Sequence, residues 1–402
     1  MIHLVSRHIV SAAVMTIGLI AAAPVRAEDE DRSNRANRYL VTNLVSDIAG
    51  VAAQTDPVLQ NAWGVAFTPA ASPFWVADNA TGCATLYDGE GAIQALQVKI
   101  PLPDGSVPAS ACKHLDPKHP PSASPATPTG LVWNPTTNPA TAFLVPGTNL
   151  PASFIFDTED GTISAWAGGL TPPDQAVLAV NNSPGAVYKG LVFGTNAKGV
   201  FLFAANFRGG TIDVFGPAPA GSADGHYVPV TSTGGFADPT IPAGFAPFGI
   251  QNINRDLFVS YAKQDSEKSD DVAGPGNGFV DVFDTDGNLL RRFASRGPLN
   301  SPWGMTRASF DFGRFSGDIL IGNFGNGRIN AFDSDGNFLG ALKDANGKAI
   351  KIDGLWTLTL GGGRNSSSDT LFFTAGPNDE TDGLFGTITP VSKKSDDDRV
   401  QE

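Results

Sequence analysis

The sequence predicts an all-β fold, a six-bladed β-propeller with four-stranded blades whose N-terminal strand closes the last blade. Three observations predict it. Apolar runs led by a glycine recur about every 58 residues. Each such unit repeats one order of short strands, separated by Asp-Gly and Asn-Gly turns of the kind that close hairpins. No amphipathic helix is legible after residue 27. A ring of small sheets leaves only short, protected edges. A two-sheet sandwich is the alternative, and it does not explain a regular period.

The chain of 402 residues opens on a basic stretch, Met1 to Arg7, followed by an apolar run, Ile9 to Ala23, and Val25-Arg26-Ala27. Basic, apolar, then small is the order of a secretory signal peptide, so residues 1–27 are expected to be removed on export. A retained anchor is the alternative, although the run is shorter than the roughly 20 residues a membrane helix needs. Residues 28–38 read as a disordered leader, 39–391 as the propeller, and 392–402 as a flexible polar tail.

The units begin at Asn61-Ala62-Trp63-Gly64, Pro128-Thr129-Gly130, Tyr188-Lys189-Gly190, Pro247-Phe248-Gly249, Ser301-Pro302-Trp303-Gly304 and Ile352-Asp353-Gly354-Leu355-Trp356. In the first, Phe74 to Asp78 reads as a second strand, Cys83 to Asp88 as a third and Ile93 to Val98 as a fourth. The last unit is one strand short, ending at Leu384 to Val391, while Tyr39 to Val45 has no unit of its own. Pairing the two completes the ring. Two long insertions interrupt the pattern, Pro101 to Pro128 and Lys263 to Asn277, and long loops on such rings commonly shape a binding face.

Lys and Arg number 27 against 40 Asp and Glu, a formal net charge of −13. That field repels nucleic acid and anionic membrane surfaces. The two cysteines, Cys83 and Cys112, form an even pair in an exported chain and are expected to form one disulfide, with two buried thiols as the alternative.

Candidate chemistry sits at strand ends. Asp78, Asp157, Asn206 and Asn323 each fall ten residues before the end of a third strand, which assigns them one equivalent position in four blades. Asn61 and Asn300 precede the inner strands of two blades on the same face. Converging at the channel mouth, six such side chains would offer hard oxygen ligands suited to Ca²⁺ or another divalent cation. The competing reading is local: Asp and Asn at a strand end commonly bond the following backbone and fix the turn. Asp284-Thr285-Asp286-Gly287 and Asp333-Ser334-Asp335-Gly336 read as hairpin turns, since the glycine comes too early for an EF-hand loop. His114 and His119 lack the further ligands a zinc site requires. Trp63, Phe248, Trp303 and Trp356 are expected to pack between blades, with a ligand platform as the alternative.

The fifth unit resembles an NHL repeat through Pro302-Trp303-Gly304, Ile321-Gly322-Asn323, Asn326-Gly327-Arg328-Ile329, Phe332-Asp333 and Gly336-Asn337. The first and third units match more loosely. Over 39–391 the chain is similar to an uncharacterised family of secreted bacterial proteins, a resemblance that implies a six-bladed, TolB-like propeller and brings no activity with it. Related propellers include sugar-lactone hydrolases with a central divalent cation, lyases and pure binding scaffolds, and fold alone does not choose among them. With no specific catalytic motif in the chain, the expected function is an exported, monomeric scaffold binding a protein or small molecule through loops on one face. The alternative is a divalent-metal-dependent hydrolase or lyase of the lactonase type, with its site at the central channel.

Overall fold

The computed structural model describes residues 35–138, 141–219, 222 and 224–391. The expected signal peptide and C-terminal tail lie outside them. Six antiparallel sheets form the ring. Blade 1 comprises Ala62–Ala66, Phe74–Asp78, Cys83–Tyr87 and Val98–Lys99; blade 2 comprises Pro128–Trp133, Phe154–Thr158, Thr162–Trp166 and Val177–Asn181. Blade 3 runs Tyr188–Asn196, Gly199–Asn206, Thr211–Gly216 and Val228–Pro229. Blade 4 runs Phe245–Ile253, Asp256–Lys263, Phe279–Phe283 and Leu289–Ser295. Blade 5 contains Pro302–Arg307, Ile319–Asn323, Ile329–Phe332 and Phe338–Ala341. Among the described residues, helical structure is confined to two three-residue 3₁₀ turns.

Blade 6 closes the ring as the repeat count requires. Leu355–Leu360, Leu371–Ala375 and Leu384–Pro390 are joined by Tyr39–Ser46, which pairs antiparallel with the last of them from Tyr39↔Pro390 to Ser46↔Leu384. Gln54–Thr55 adds a short parallel edge. Asn37, assigned to the leader from sequence, instead donates to the Ala341 carbonyl at 2.9 Å and accepts from Lys343 N–H at 3.1 Å. The fourth strand of blade 1 is shorter than expected, only Val98–Lys99.

The strands are apolar on both faces because both faces are covered. In Phe74–Asp78, Phe74 and Val76 pack with Phe372 and Phe385 of blade 6, while Trp75 and Ala77 pack with Phe154 and Trp166 of blade 2. Similar clusters fill the other blade-to-blade gaps, for example Phe203 with Phe283 between blades 3 and 4 and Phe258 with Phe332 between blades 4 and 5. Fully burying each such side chain contributes about 1.5–3 kcal/mol.

Around the axis the inner strands approach too closely for side chains. A Cβ on Gly64 would lie 2.5 Å from the Thr129 carbonyl oxygen, one on Gly249 2.3 Å from that of Trp303, and one on Gly304 2.3 Å from that of Trp356. The repeated glycine is therefore a packing requirement at Gly64, Gly130, Gly249 and Gly304, while at Gly190 a Cβ would make only an ordinary contact, 3.4 Å from Ile250 N. In blade 6 that position belongs to Thr357, not Gly354: Leu355 pairs with Ala375 as Ala62 pairs with Asp78. The Thr357 hydroxyl uses the space to donate to the Trp63 carbonyl at 2.7 Å, bonding blade 6 to blade 1.

Candidate functional site: the loop-covered mouth of the channel

Two tiers of side chains close the channel at the end where inner strands begin. The first comes from the residue before each axial glycine: Trp63, Thr129, Lys189, Phe248, Trp303 and, before Thr357, Trp356. The second comes from the residue just beyond several second strands, including Asn79, Glu159, Phe207 and Phe324, each of which donates its backbone N–H to the carbonyl of the residue just before its blade's inner strand, Asn61, Thr127, Val187 and Ser301. The aromatics do not pack between blades as expected. They pack on one another across the axis: Phe324 stacks on Trp356 at 4.0 Å and Trp356 on Trp63 at 3.4 Å between ring centroids, with Trp303 edge-on.

Lys189 completes this plug. Its ammonium lies 5.2 Å from the Trp63 ring centroid, and its side chain is 3% exposed. It pairs with Glu159 and, at 3.2 Å, with Asp270 from the insertion of blade 4. Asn79 Nδ2 donates to the other Glu159 oxygen at 2.8 Å. Burial opposes the lysine's charge, but Glu159 and Asp270 outweigh it and hold its pKa above the ordinary lysine value. The Trp303 indole N–H donates to the Lys189 carbonyl at 2.6 Å.

Glu380 approaches the same group from blade 6. Burial pushes its pKa up to about 8, with the neighbouring Glu159 adding to the rise and Lys189 opposing it. Its backbone is unusual: Asn378, Asp379 and Glu380 have φ of 56°, 54° and 63°, three consecutive non-glycine residues in the left-handed region. Such strain persists where surrounding bonds over-determine it. Here Asn378 N–H donates to Asp353 at 2.9 Å, Asn378 Nδ2 to Asp382 at 2.7 Å, and Gln60 Nε2 to the Thr381 carbonyl at 3.0 Å.

The first insertion folds onto this same face. Cys83 and Cys112 are disulfide-bonded, as expected, with Cα atoms 4.9 Å apart. Cys112 N–H donates to the Thr81 carbonyl at 2.9 Å, and Leu115 N–H to Gln60 Oε1 at 2.7 Å. Between this loop and the left-handed turn lies a cavity of about 300 Å³. Pro117, Pro120, Pro121 and Pro125 form its apolar wall; Gln60, Asp116, Thr127, Glu380 and Thr381 are its polar lining beside Ser124 at the rim.

The six oxygen donors expected at the mouth are not brought together. Asp157 is not equivalent to Asp78, because Pro128 pairs with Thr158 where Ala62 pairs with Asp78. A one-residue slip turns a strand side chain to the opposite face. Asp157 faces blade 3 and accepts from Gly130 N–H at 2.5 Å and Thr129 Oγ1 at 2.9 Å; burial raises its pKa to about 7. Asp78 lies wholly buried near Asp56 and Tyr87, and burial pushes its pKa well up. Asn206 bonds Gly209 N–H and Asp213 within its own blade. Asn323 accepts from Asn300 N–H, Asn300 accepts from Gly274 N–H, and Asn61 accepts from the Trp356 indole. Among the described residues, no group of three or more His, Cys, Asp or Glu is placed to hold a metal ion. The Asp284 and Asp333 turns are hairpin turns, each aspartate accepting from backbone N–H groups two and four residues on.

Sequence reasoning missed Lys189, Glu159, Asp270 and Glu380. The signal was present for one of them, since Lys189 is the only charged residue at its repeat position.

No family model matches the chain. Among solved structures, a gluconolactonase of Xanthomonas campestris aligns at 14% identity over 82% of this chain and 86% of its own, with a TM-score of 0.44. A streptogramin B lyase aligns at 12% identity over 88% and 97%, with a TM-score of 0.45. The uncharacterized protein R648 of Acanthamoeba polyphaga mimivirus is 31% identical over 360 residues, spanning 87% of this chain and 80% of its own length. The uncharacterized protein L690 of the same virus is 30% identical over 362 residues, spanning 87% and 85%. These relatives are viral, whereas the family that the chain resembles over 39–391 was expected to be one of secreted bacterial proteins. The chain belongs to the family of these two mimivirus proteins.

Proposed function

We propose that this propeller is an exported ligand-binding scaffold that takes its ligand on the loop-covered face, in the cavity beside Glu380. One observation carries the reading: the insertion of blade 1 and the left-handed turn of blade 6 line a half-open cavity of about 300 Å³ next to a group of buried charges. Concave sites with mostly apolar walls and a few placed polar groups are the usual form of small-molecule sites. Perturbed titrating groups concentrate at such places. The disulfide in the insertion supports function in an oxidising compartment, outside the cytosol. The six oxygen donors, each turned into local bonds or burial, lend no support to the metal-dependent hydrolase.

The test is a small-molecule thermal-shift screen on the intact protein and on Ser124→Trp, which places an indole at the exposed rim of the cavity. Compounds that raise the Tm of the first and not the second support the site. Compounds that stabilise both equally place binding elsewhere and overturn it.

A further inference from the structure

The polar groups of the cavity are unequally available. Gln60 is fully engaged: its Nε2 donates to the Leu115 and Thr381 carbonyls, and its Oε1 accepts from Leu115 N–H. The Thr127 hydroxyl donates to Asp160 and the Thr381 hydroxyl to the Asn378 carbonyl. No basic side chain lines the cavity. Apart from Ser124 at the rim, its remaining polar lining consists of two carboxyl groups. Asp116, on the loop side, is already engaged: it accepts from Lys118 N–H at 2.9 Å and pairs with His119 at 2.7 Å. Glu380, on the inner side, is the carboxyl left for a ligand. An anionic ligand would find no cation lining the cavity, whereas a ligand that donates and carries positive charge fits Glu380.

The neighbouring charges point the same way. Glu159, Asp270, Asp271 and Glu380 surround the single ammonium of Lys189. One cation among four carboxyl groups leaves the mouth with surplus acid. Lys189 itself, held by carboxylates against the Trp63 ring, is an internal example of the interaction.

Resting on the binding reading above, we propose that the cavity takes a primary ammonium carried on a compact apolar body, the cation meeting Glu380 and the body lying against the prolines. A volume of about 300 Å³ is at the lower end of small-ligand pockets, about 300–1,000 Å³, and suits a single ring with a short amine arm. Because Glu380 holds its proton up to about pH 8 in the free protein, an arriving cation displaces that proton to solvent. The groups facing Glu380 are Glu159, Asp270, Asp271 and Lys189, with Asp116 across the cavity.

The experiment compares three probes of one shape: phenethylamine, phenethyl alcohol and 3-phenylpropionate, titrated by calorimetry into the full chain. The amine alone should bind, tightening at least about tenfold between pH 6 and pH 8.5 as Glu380 becomes free to ionise. Its heat at pH 7 should vary with the ionisation enthalpy of the buffer, reporting the released proton. Glu380→Gln, close to the protonated side chain in shape, should abolish the pH dependence and the preference for amine over alcohol. Equal or stronger binding of the alcohol or the acid, or no binding of the amine, overturns the ammonium proposal. In that event, other ligands that Ser124→Trp blocks would leave the cavity as the binding site. Amine binding undiminished in Ser124→Trp would instead overturn the site itself.

Discussion

The Trp303 indole donates to the Lys189 carbonyl at 2.6 Å, so blade 5 holds the inner strand of blade 3 across the channel. That bond fixes the backbone from which the Lys189 ammonium reaches Glu159 and Asp270. Three blades besides its own thus contribute to placing one buried charge, and a fourth brings Glu380 near it.

Replacing Lys189 by methionine keeps the length of the side chain and removes the charge. Glu159 and Asp270 are then left without their cation, beside Glu380, which keeps its proton at pH 7. Removing one partner of a buried ion pair costs about 3–5 kcal/mol. The loss here should fall at the lower end, because the Asp270 side chain is 73% exposed. Urea unfolding at pH 7 with an unchanged slope measures it, and an unaltered midpoint would contradict the role given to the pair.

Stability should decline as pH rises through the neutral range. Glu380 titrates at about 8 and Asp157 at about 7 in the folded chain, both raised by burial above their ordinary values of 4.5 and 3.8. Between each ordinary value and each raised one, the folded state holds a proton that the unfolded state has lost. Stability is therefore greatest below the ordinary values and falls as pH climbs through the raised ones. Denaturation midpoints from pH 4 to pH 9 test the slope. Glu380→Gln should flatten it up to about pH 8, and Asp157→Asn up to about pH 7; slopes matching the unmodified chain would contradict the assignments.

Gly304→Ala should destabilise by several times the effect of Gly168→Ala. The added Cβ at 304 meets the Trp356 carbonyl oxygen at 2.3 Å, while at 168 nothing lies within 4 Å. Overpacking of this kind costs about 1–3 kcal/mol and sometimes more. Equal midpoints for the two variants would contradict the close approach of inner strands at the axis.

Reduction of the Cys83–Cys112 bond, which spans 29 residues, should lower stability by about 3–4 kcal/mol on loop-entropy grounds. Cys112→Ser should do the same and should raise protease cleavage within 101–127 first. Cleavage elsewhere at the same rate would argue that the bond does not hold that loop.

The ring was legible because its determinants are local. Turn residues and apolar strands recur in each unit and axial glycines in five of the six, so six units and a spare N-terminal strand add up from the sequence. Asp157 was misplaced because spacing was counted from the third strand. The turn between the second and third strands of blade 2, from Thr158 to Thr162, is one residue shorter than the turn of blade 1 from Asp78 to Cys83, and that puts Asp157 one residue out of phase. Asp270 and Glu380 were not legible at all. Each lies in an insertion or turn with no counterpart in the other blades, and only the closed ring brings them to Lys189.

The central claim is that the blade 4 insertion is held over the channel mouth through Lys189 and Asp270. Hydrogen exchange of the intact chain and of Lys189→Met measures this most directly. The account predicts faster exchange in 264–272 of the variant, with the inner strands of all six blades unchanged. Equal exchange in that segment would contradict it.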